Sequence, residues 1–131
     1  MNQFSSFEGK TGPYVQYALV RIASIKKKLK EQGVTLSLIT TPTSDTERKL
    51  VLKLAMFSAW VDFAASAYQP SKICDFSFDL SQTFNQFYHE VHILSEKDHL
   101  KQSSYHSLLS LTENMLRQCL WLLGIEGLEK M

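Results

Sequence analysis

The stretch Gly12-Pro13-Tyr14-Val15-Gln16-Tyr17-Ala18-Leu19-Val20-Arg21 decides the fold. Proline is tolerated in the first turn of a helix, where its missing N–H has no intrahelical partner to lose. From there Val15, Ala18, Ile22, Ile25 and Leu29 recur at spacings of three and four, which draws one apolar stripe along a helix over residues 13–32. Tyr14, Tyr17, Arg21 and Lys28 fall on the neighbouring stripe, about 100° round the helix. Such a helix buries one face and offers phenols and cations on the next. Phenol rings stack on unpaired bases, and a guanidinium or ammonium holds a phosphate or a base edge. The competing reading places the tyrosines at the rim of a core with their hydroxyls reaching water.

Working outward, Gly33 stops this helix. Residues 34–43 carry β-branched side chains, Pro42 and no helical period, and read as a loop whose apolar middle, Leu36, Leu38 and Ile39, tucks against the rest. Ser44-Asp45-Thr46-Glu47 matches a capping box, a Ser oxygen accepting an amide and a Glu three residues on reaching back. It opens a second helix to Tyr68, with Leu50, Leu54, Phe57, Val61, Ala64 and Ala65 inward, and Gln69-Pro70 ends it. Ser71 caps a third helix over 72–93. Its stripe of Ile73, Phe76, Leu80, Phe84, Phe87 and Val91 is rich in aromatics and suits the centre of the core. Residues 95–103 are polar and charged and read as an exposed connection. A last helix over 104–123 turns Leu108, Leu111, Met115, Cys119 and Leu122 inward and stops at Gly124, after which Ile125, Leu128 and Met131 fold the tail back. Four amphipathic helices with few strand signals predict an all-α antiparallel bundle of about four main helices with a folded-back C-terminal tail.

Composition narrows the function. The 131 residues suit one domain, and 44% hydrophobic content supplies a core. No apolar run approaches the ~20 residues needed to span a bilayer, and no secretory signal pattern stands at the N-terminus. Cys74 and Cys119 stand far apart, outside any Cys-x-x-Cys spacing, and read as two buried thiols in a reducing cytoplasm. Before Thr35 there are six bases against two acids, a balance of +4 in a chain whose whole charge is +1, so the remainder carries −3. A basic leading end suits a polyanion, and a solvated helix face explains Lys26 to Lys30 equally well.

Catalytic motifs are missing or misspaced. Gly9-Lys10-Thr11 lacks the earlier glycine of a phosphate loop, Phe4 standing in its place. His89-Glu90-Val91-His92 sets its histidines three apart, not the four of a zinc-protease helix, and offers no third ligand. There is no Gly-x-Ser-x-Gly elbow. Asp75 and Asp79 sit at helix spacing and read as a solvated face or as partners for lysines. A stand-alone metal hydrolase on His89 and His92 is therefore the weakest reading, and binding readings are stronger.

Three stretches carry a resemblance. The first is Phe7-Glu8-Gly9-Lys10-Thr11-Gly12-Pro13-Tyr14-Val15-Gln16-Tyr17-Ala18-Leu19-Val20-Arg21-Ile22. The second is Phe78-Asp79-Leu80-Ser81 with Phe84-Asn85-Gln86-Phe87-Tyr88. The third is Leu122-Leu123-Gly124-Ile125-Glu126 with Leu128-Glu129-Lys130-Met131. Together they resemble the C-terminal anticodon-binding (DALR-type) domain of class I arginyl-tRNA synthetases, in the right order and through nearly the whole chain. The resemblance implies a connector over 1–12 from a missing catalytic domain and a helical anticodon-binding domain over 13–131. It implies that Tyr17 and Arg21 lie along the RNA, and that Tyr88 and Met131 help receive splayed anticodon-loop bases. Tyr14 and Lys28, on the same stripe as Tyr17 and Arg21, join them as candidate tRNA-binding residues. The family's asparagine is replaced by Lys10, its penultimate arginine by Lys130, and its Asn-Ser-Arg-Leu run by Ser103-Ser104-Tyr105-His106, so the arginine contact of that run is not expected here.

No nucleotide-binding fold with a His-Ile-Gly-His-like signature is present. The resemblance therefore implies a cytoplasmic parent arginine–tRNA ligase that uses ATP and magnesium, and a fragment that binds tRNA, needs no cofactor and is inactive alone. The alternative is a helical protein-interaction module without RNA binding, which predicts a large exposed apolar patch.

Overall fold

The computed structural model describes residues 12–66 and 70–129, and the side chains among them other than those of 58, 60–71 and 123–129. Helix α1, Gly12–Glu31, buries the stripe that its three-and-four spacing draws, Val15, Ala18, Ile22, Ile25 and Leu29, and Leu19 beside it. It stops at Gly33, whose φ of 79° no side-chain-bearing residue adopts cheaply. The Gly33 N–H donates to Lys30 O (3.0 Å) and the Val34 N–H to Leu29 O (2.9 Å). That paired closure is a Schellman motif, which satisfies two of the carbonyls left over at a helix C-terminus.

Helix α2, Asp45–Ser66, begins after Ser44, whose hydroxyl accepts the Glu47 N–H at 3.2 Å. The reciprocal half of the capping box is displaced by one residue. The Glu47 carboxylate takes the N–H of Thr43 (3.0 Å), not that of Ser44. Helix α3, Pro70–Glu90, is followed by a 3-10 turn, Ile93–Ser95, and by helix α4, His99–Glu129. Among the described residues there is no strand, so the chain is an all-α bundle.

Side-chain pairs fix the directions. Tyr14 meets Phe78 and Arg21 meets Asn85, so α1 and α3 run parallel. Phe57 packs on Phe76, and Lys53 pairs with Asp79, which sets α2 antiparallel to α3. Lys26 pairs with Glu113 at 2.7 Å, and His106, earlier on α4, reaches the Val34 carbonyl just past the end of α1, which sets α1 antiparallel to α4. Consecutive helices alternate in direction, α3 and α4 pack on each other, and α1 and α2 each pack across that pair. The wholly buried centre holds Phe84, Phe87, Leu80, Leu108, Leu109 and Leu116, with Ile22 and Leu29 from α1 and Leu50 from α2. Each such side chain stabilises the fold by roughly 1.5–3 kcal/mol relative to exposure.

Several sequence expectations need correction. Of the three loop residues expected to tuck in, Ile39 packs against the core, as does Val34, but Leu36 and Leu38 do not: they are 59% and 91% exposed. The loop is held by its backbone, the Ser37 and Thr40 N–H groups donating to the Ser107 and Ser104 hydroxyls of α4 (both 2.9 Å). Hydrogen bonding of Ser37 and Thr40 to the serines leaves Leu38, between them, and Leu36, just before them, facing out. Helix α3 starts at Pro70, so Ser71 lies inside its first turn and is not its cap, and it ends at Glu90. The stretch 95–103 is exposed from Ser95 through Leu100, apart from the half-buried Glu96, but its end turns inward. Asp98 caps α4, accepting the Leu100 and Lys101 amides at 3.0 and 3.3 Å, and Lys101 and Gln102 are buried. Gln102 donates to the carbonyls of Ile93 and Leu94, and Lys101 to Glu47. Polar composition misleads for Lys101 and Gln102 because each has a partner inside.

The inner stripe of α4 is also turned. Tyr105, Leu109, Thr112 and Leu116 join Leu108 and Cys119 inside, while Leu111 is 36% exposed and Met115 and Leu122 are half-buried. Helix α4 runs through Gly124 to Glu129 without stopping at Gly124. The side chains of Ile125 and Leu128, and Met131 altogether, lie outside the described residues, as does the connector but for Gly12. Among the described residues no helix is long and apolar enough to cross a membrane.

Candidate nucleic-acid interface

The side of α1 next to its buried stripe faces the C-terminal half of α3. Between them and the 3-10 turn lies an open groove of about 670 Å³. Arg21, Ser24 and Lys28 line it from α1, Tyr88 and His89 from α3, and His92 from the turn that follows. Spacings of three and four on α1 put Arg21, Ser24 and Lys28 along one wall. The parallel register of α1 and α3 brings the end of α3 opposite them.

Arg21 is the best-held of these groups. Its Nη1 donates to Asn85 Oδ1 at 2.8 Å, and its guanidinium carbon lies 4.9 Å from the centre of the Tyr88 ring. A cation over a phenol face is attracted by the ring quadrupole. Tyr88 is in turn fixed by Phe84, 6.2 Å away, and by the edge of His89, 5.6 Å away. The remaining guanidinium N–H groups take no further hydrogen bond among the described residues.

The other candidates divide. Lys28 is exposed on the groove wall. Tyr17, one turn before Arg21, is 65% exposed and meets no ring or polar partner among the described residues. Tyr14 is 44% exposed and rests edge-on against Phe78 at 5.0 Å, so part of its surface is used in packing. Arg21, Lys28 and Tyr88 therefore share one groove, Tyr17 stands beside it, Tyr14 stands one turn further off, and Met131 lies outside the described residues. The solvated-face reading of Lys26 to Lys30 holds for Lys27, Lys28 and Lys30, which are exposed. It fails for Lys26, which is tied to Glu113, a carboxylate that burial pushes up but that the hydrogen bonds and charges of Lys26 and Arg117 together hold below its ordinary pKa.

Sequence reading missed Asn85 as the partner of Arg21 and missed His89 and His92 as groove-lining residues. The spacing of His89 from Tyr88 and of His92 from Lys28 carries no such signal, because it depends on how α1 and α3 are offset. Among the described residues, the remaining reactive groups do not form a site. Among the described residues no three His, Cys, Asp or Glu side chains cluster to hold a metal. Burial pushes the Cys119 thiol up to about 12, which keeps it protonated and unreactive. Asp79 serves as a partner of Lys53.

Comparison with known proteins agrees with this picture. A family model described as the DALR anticodon binding domain matches residues 15–131. The chain is 48% identical over 132 residues to an arginine–tRNA ligase of Alkaliphilus oremlandii, covering 100% of this chain and 22% of that protein. It is 41% identical over 131 residues to one of Maricaulis maris (100% and 22%), and 38% over 135 residues to one of Agathobacter rectalis (100% and 23%). The chain thus spans less than a quarter of the length of the curated relatives it matches. A helical bundle of this topology, matched along all but its first fourteen residues, belongs to the DALR anticodon binding domain family.

Proposed function

We propose that this chain is the anticodon-stem-loop-binding domain of an arginine–tRNA ligase. The observation that carries the reading is the groove in which Arg21 lies over Tyr88, with Lys28 on the same wall and the bare ring of Tyr17 one turn away. Unpaired loop bases offer flat faces for Tyr17 and Tyr88, and the RNA backbone offers phosphates for Arg21 and Lys28. Tyr14 extends the same edge. Met131 completes the set as a thioether that adapts to a flat ring.

The parent ligase, working in the cytoplasm, joins arginine to its tRNA with ATP and magnesium in a catalytic domain that this chain does not contain. None of the residues named here is assigned to either cofactor. This domain supplies tRNA binding and is inactive alone.

The test is binding of the purified chain to the anticodon stem-loop of arginine tRNA and to that of an unrelated tRNA. The reading expects preference for the arginine stem-loop, lost in Tyr17→Ala and Arg21→Ala. Equal binding to both stem-loops, or no change in either variant, overturns it.

A further inference from the structure

We infer that Asn85 is a positioning residue for RNA recognition, which holds the Arg21 guanidinium in one orientation over Tyr88 so that its free N–H groups meet the RNA already aligned. The inference rests on the proposed tRNA binding and adds to it a residue that the groove lining does not include. Arginine has many rotamers, and freezing them on binding weakens affinity unless they are frozen beforehand. Here two contacts from one helix restrain the side chain. The Asn85 amide oxygen fixes Nη1 at 2.8 Å, and the Tyr88 ring three residues later lies 4.9 Å from the guanidinium carbon. Residues three apart share a helix face, so α3 presents the two contacts side by side. Asn85 is half-buried, and its oxygen is neutral. An aspartate there would hold Arg21 equally well but cancel the charge that a phosphate needs. A neutral acceptor fixes the geometry and leaves the charge available.

The test is a double-mutant cycle read as binding of the arginine anticodon stem-loop by the full 131-residue chain. Asn85→Ala is expected to weaken binding about 3- to 10-fold, the range set by freezing one rotamer-rich side chain on binding. In an Arg21→Ala background the same substitution should change nothing further, because its effect passes through Arg21. In a Lys28→Ala background the losses should multiply. Asn85→Ser and the thermal unfolding midpoint of each variant separate a binding loss from a folding loss. Unchanged binding in both Asn85 variants overturns the inference and leaves the proposed function standing. A loss that persists without Arg21 also overturns it, since Asn85 would then touch the RNA itself or support the fold generally. If the unsubstituted chain does not bind, the proposed function fails and this inference with it.

Discussion

The Glu47 carboxylate is wholly buried, and Lys101 Nζ reaches it at 2.7 Å while also donating to Thr40 Oγ1 and Thr41 O. One ion pair thereby ties the start of α2, the end of the crossing loop and the first turn of α4. Breaking a buried pair leaves a charge with no partner, which costs about 3–5 kcal/mol, whereas replacing both members with apolar groups is often tolerated. Lys101→Met should therefore lower stability by about 3–5 kcal/mol in urea unfolding, and adding Glu47→Leu should recover a large part of it. His106 is likewise buried. Its Nδ1 pairs with the Val34 carbonyl at 3.1 Å, and burial together with the Lys26 and Lys30 charges lowers its pKa from an ordinary 6.5, against the opposing effect of that hydrogen bond. The unfolded chain takes up the proton first as pH falls, so this residue's contribution is complete above pH 6.5 and is lost progressively below it. The urea midpoint should fall between pH 7.5 and 5.5, and His106→Asn, which keeps a donor toward Val34, should flatten that slope.

Helix ends are where local chemistry and tertiary context part company. Gly33 was legible because a glycine after an apolar stripe has one common use, and the positive φ follows from it. Nothing lies within 4 Å of the place a Cβ would occupy. Gly33→Ala should therefore cost only the backbone conformation, about 1–2 kcal/mol, measured as a lower thermal midpoint, with Gly33→Asn in between because asparagine tolerates that region better. The α4 ends were not legible. Asp98 is followed by His99 and Leu100, both exposed, and then by lysine, glutamine and serines, a run that resembles a solvated loop, and the Asp98 cap with the partners on α2 and the 3-10 turn makes it the first turn of a helix. At the other end Gly124 carries the composition of a stop signal, yet the helix passes through it. A glycine inside a helix is only disfavoured, by roughly 1 kcal/mol relative to alanine. The rotated stripe of α4 has a related cause. Thr112 is buried because its hydroxyl bonds the Leu108 carbonyl within the same helix, so a polar residue takes an inward place that a hydrophobicity pattern awards to Leu111.

The bundle sorts its cations into bracing and presented groups. The periodicity of α1 placed Tyr17, Arg21 and Lys28 on one edge. The closeness of Tyr88 and Asn85 to that edge depends on the offset between parallel helices, which no local pattern fixes. Nor does local pattern separate Lys26 from Lys28. Lys26 faces α4 and binds Glu113 with only 19% of its side chain exposed, while Lys28 stands free on the groove wall. If the groove holds RNA, the two lysines must behave differently when removed. Counterion release makes the logarithm of affinity fall with the logarithm of salt by about 0.7–0.9 for each phosphate neutralised. Lys28→Ala should therefore reduce the salt slope for the anticodon stem-loop by about that amount. Lys26→Ala should leave the slope unchanged and lower the unfolding midpoint. Tyr17→Ala should weaken binding by roughly 1–3 kcal/mol at every salt concentration, since stacking on a base releases no counterions. Fluorescence anisotropy of a labelled stem-loop across a potassium chloride series measures all three. A slope that drops equally for Lys26→Ala and Lys28→Ala would mean that the RNA lies across the α1 and α4 side, not in the groove against Tyr88.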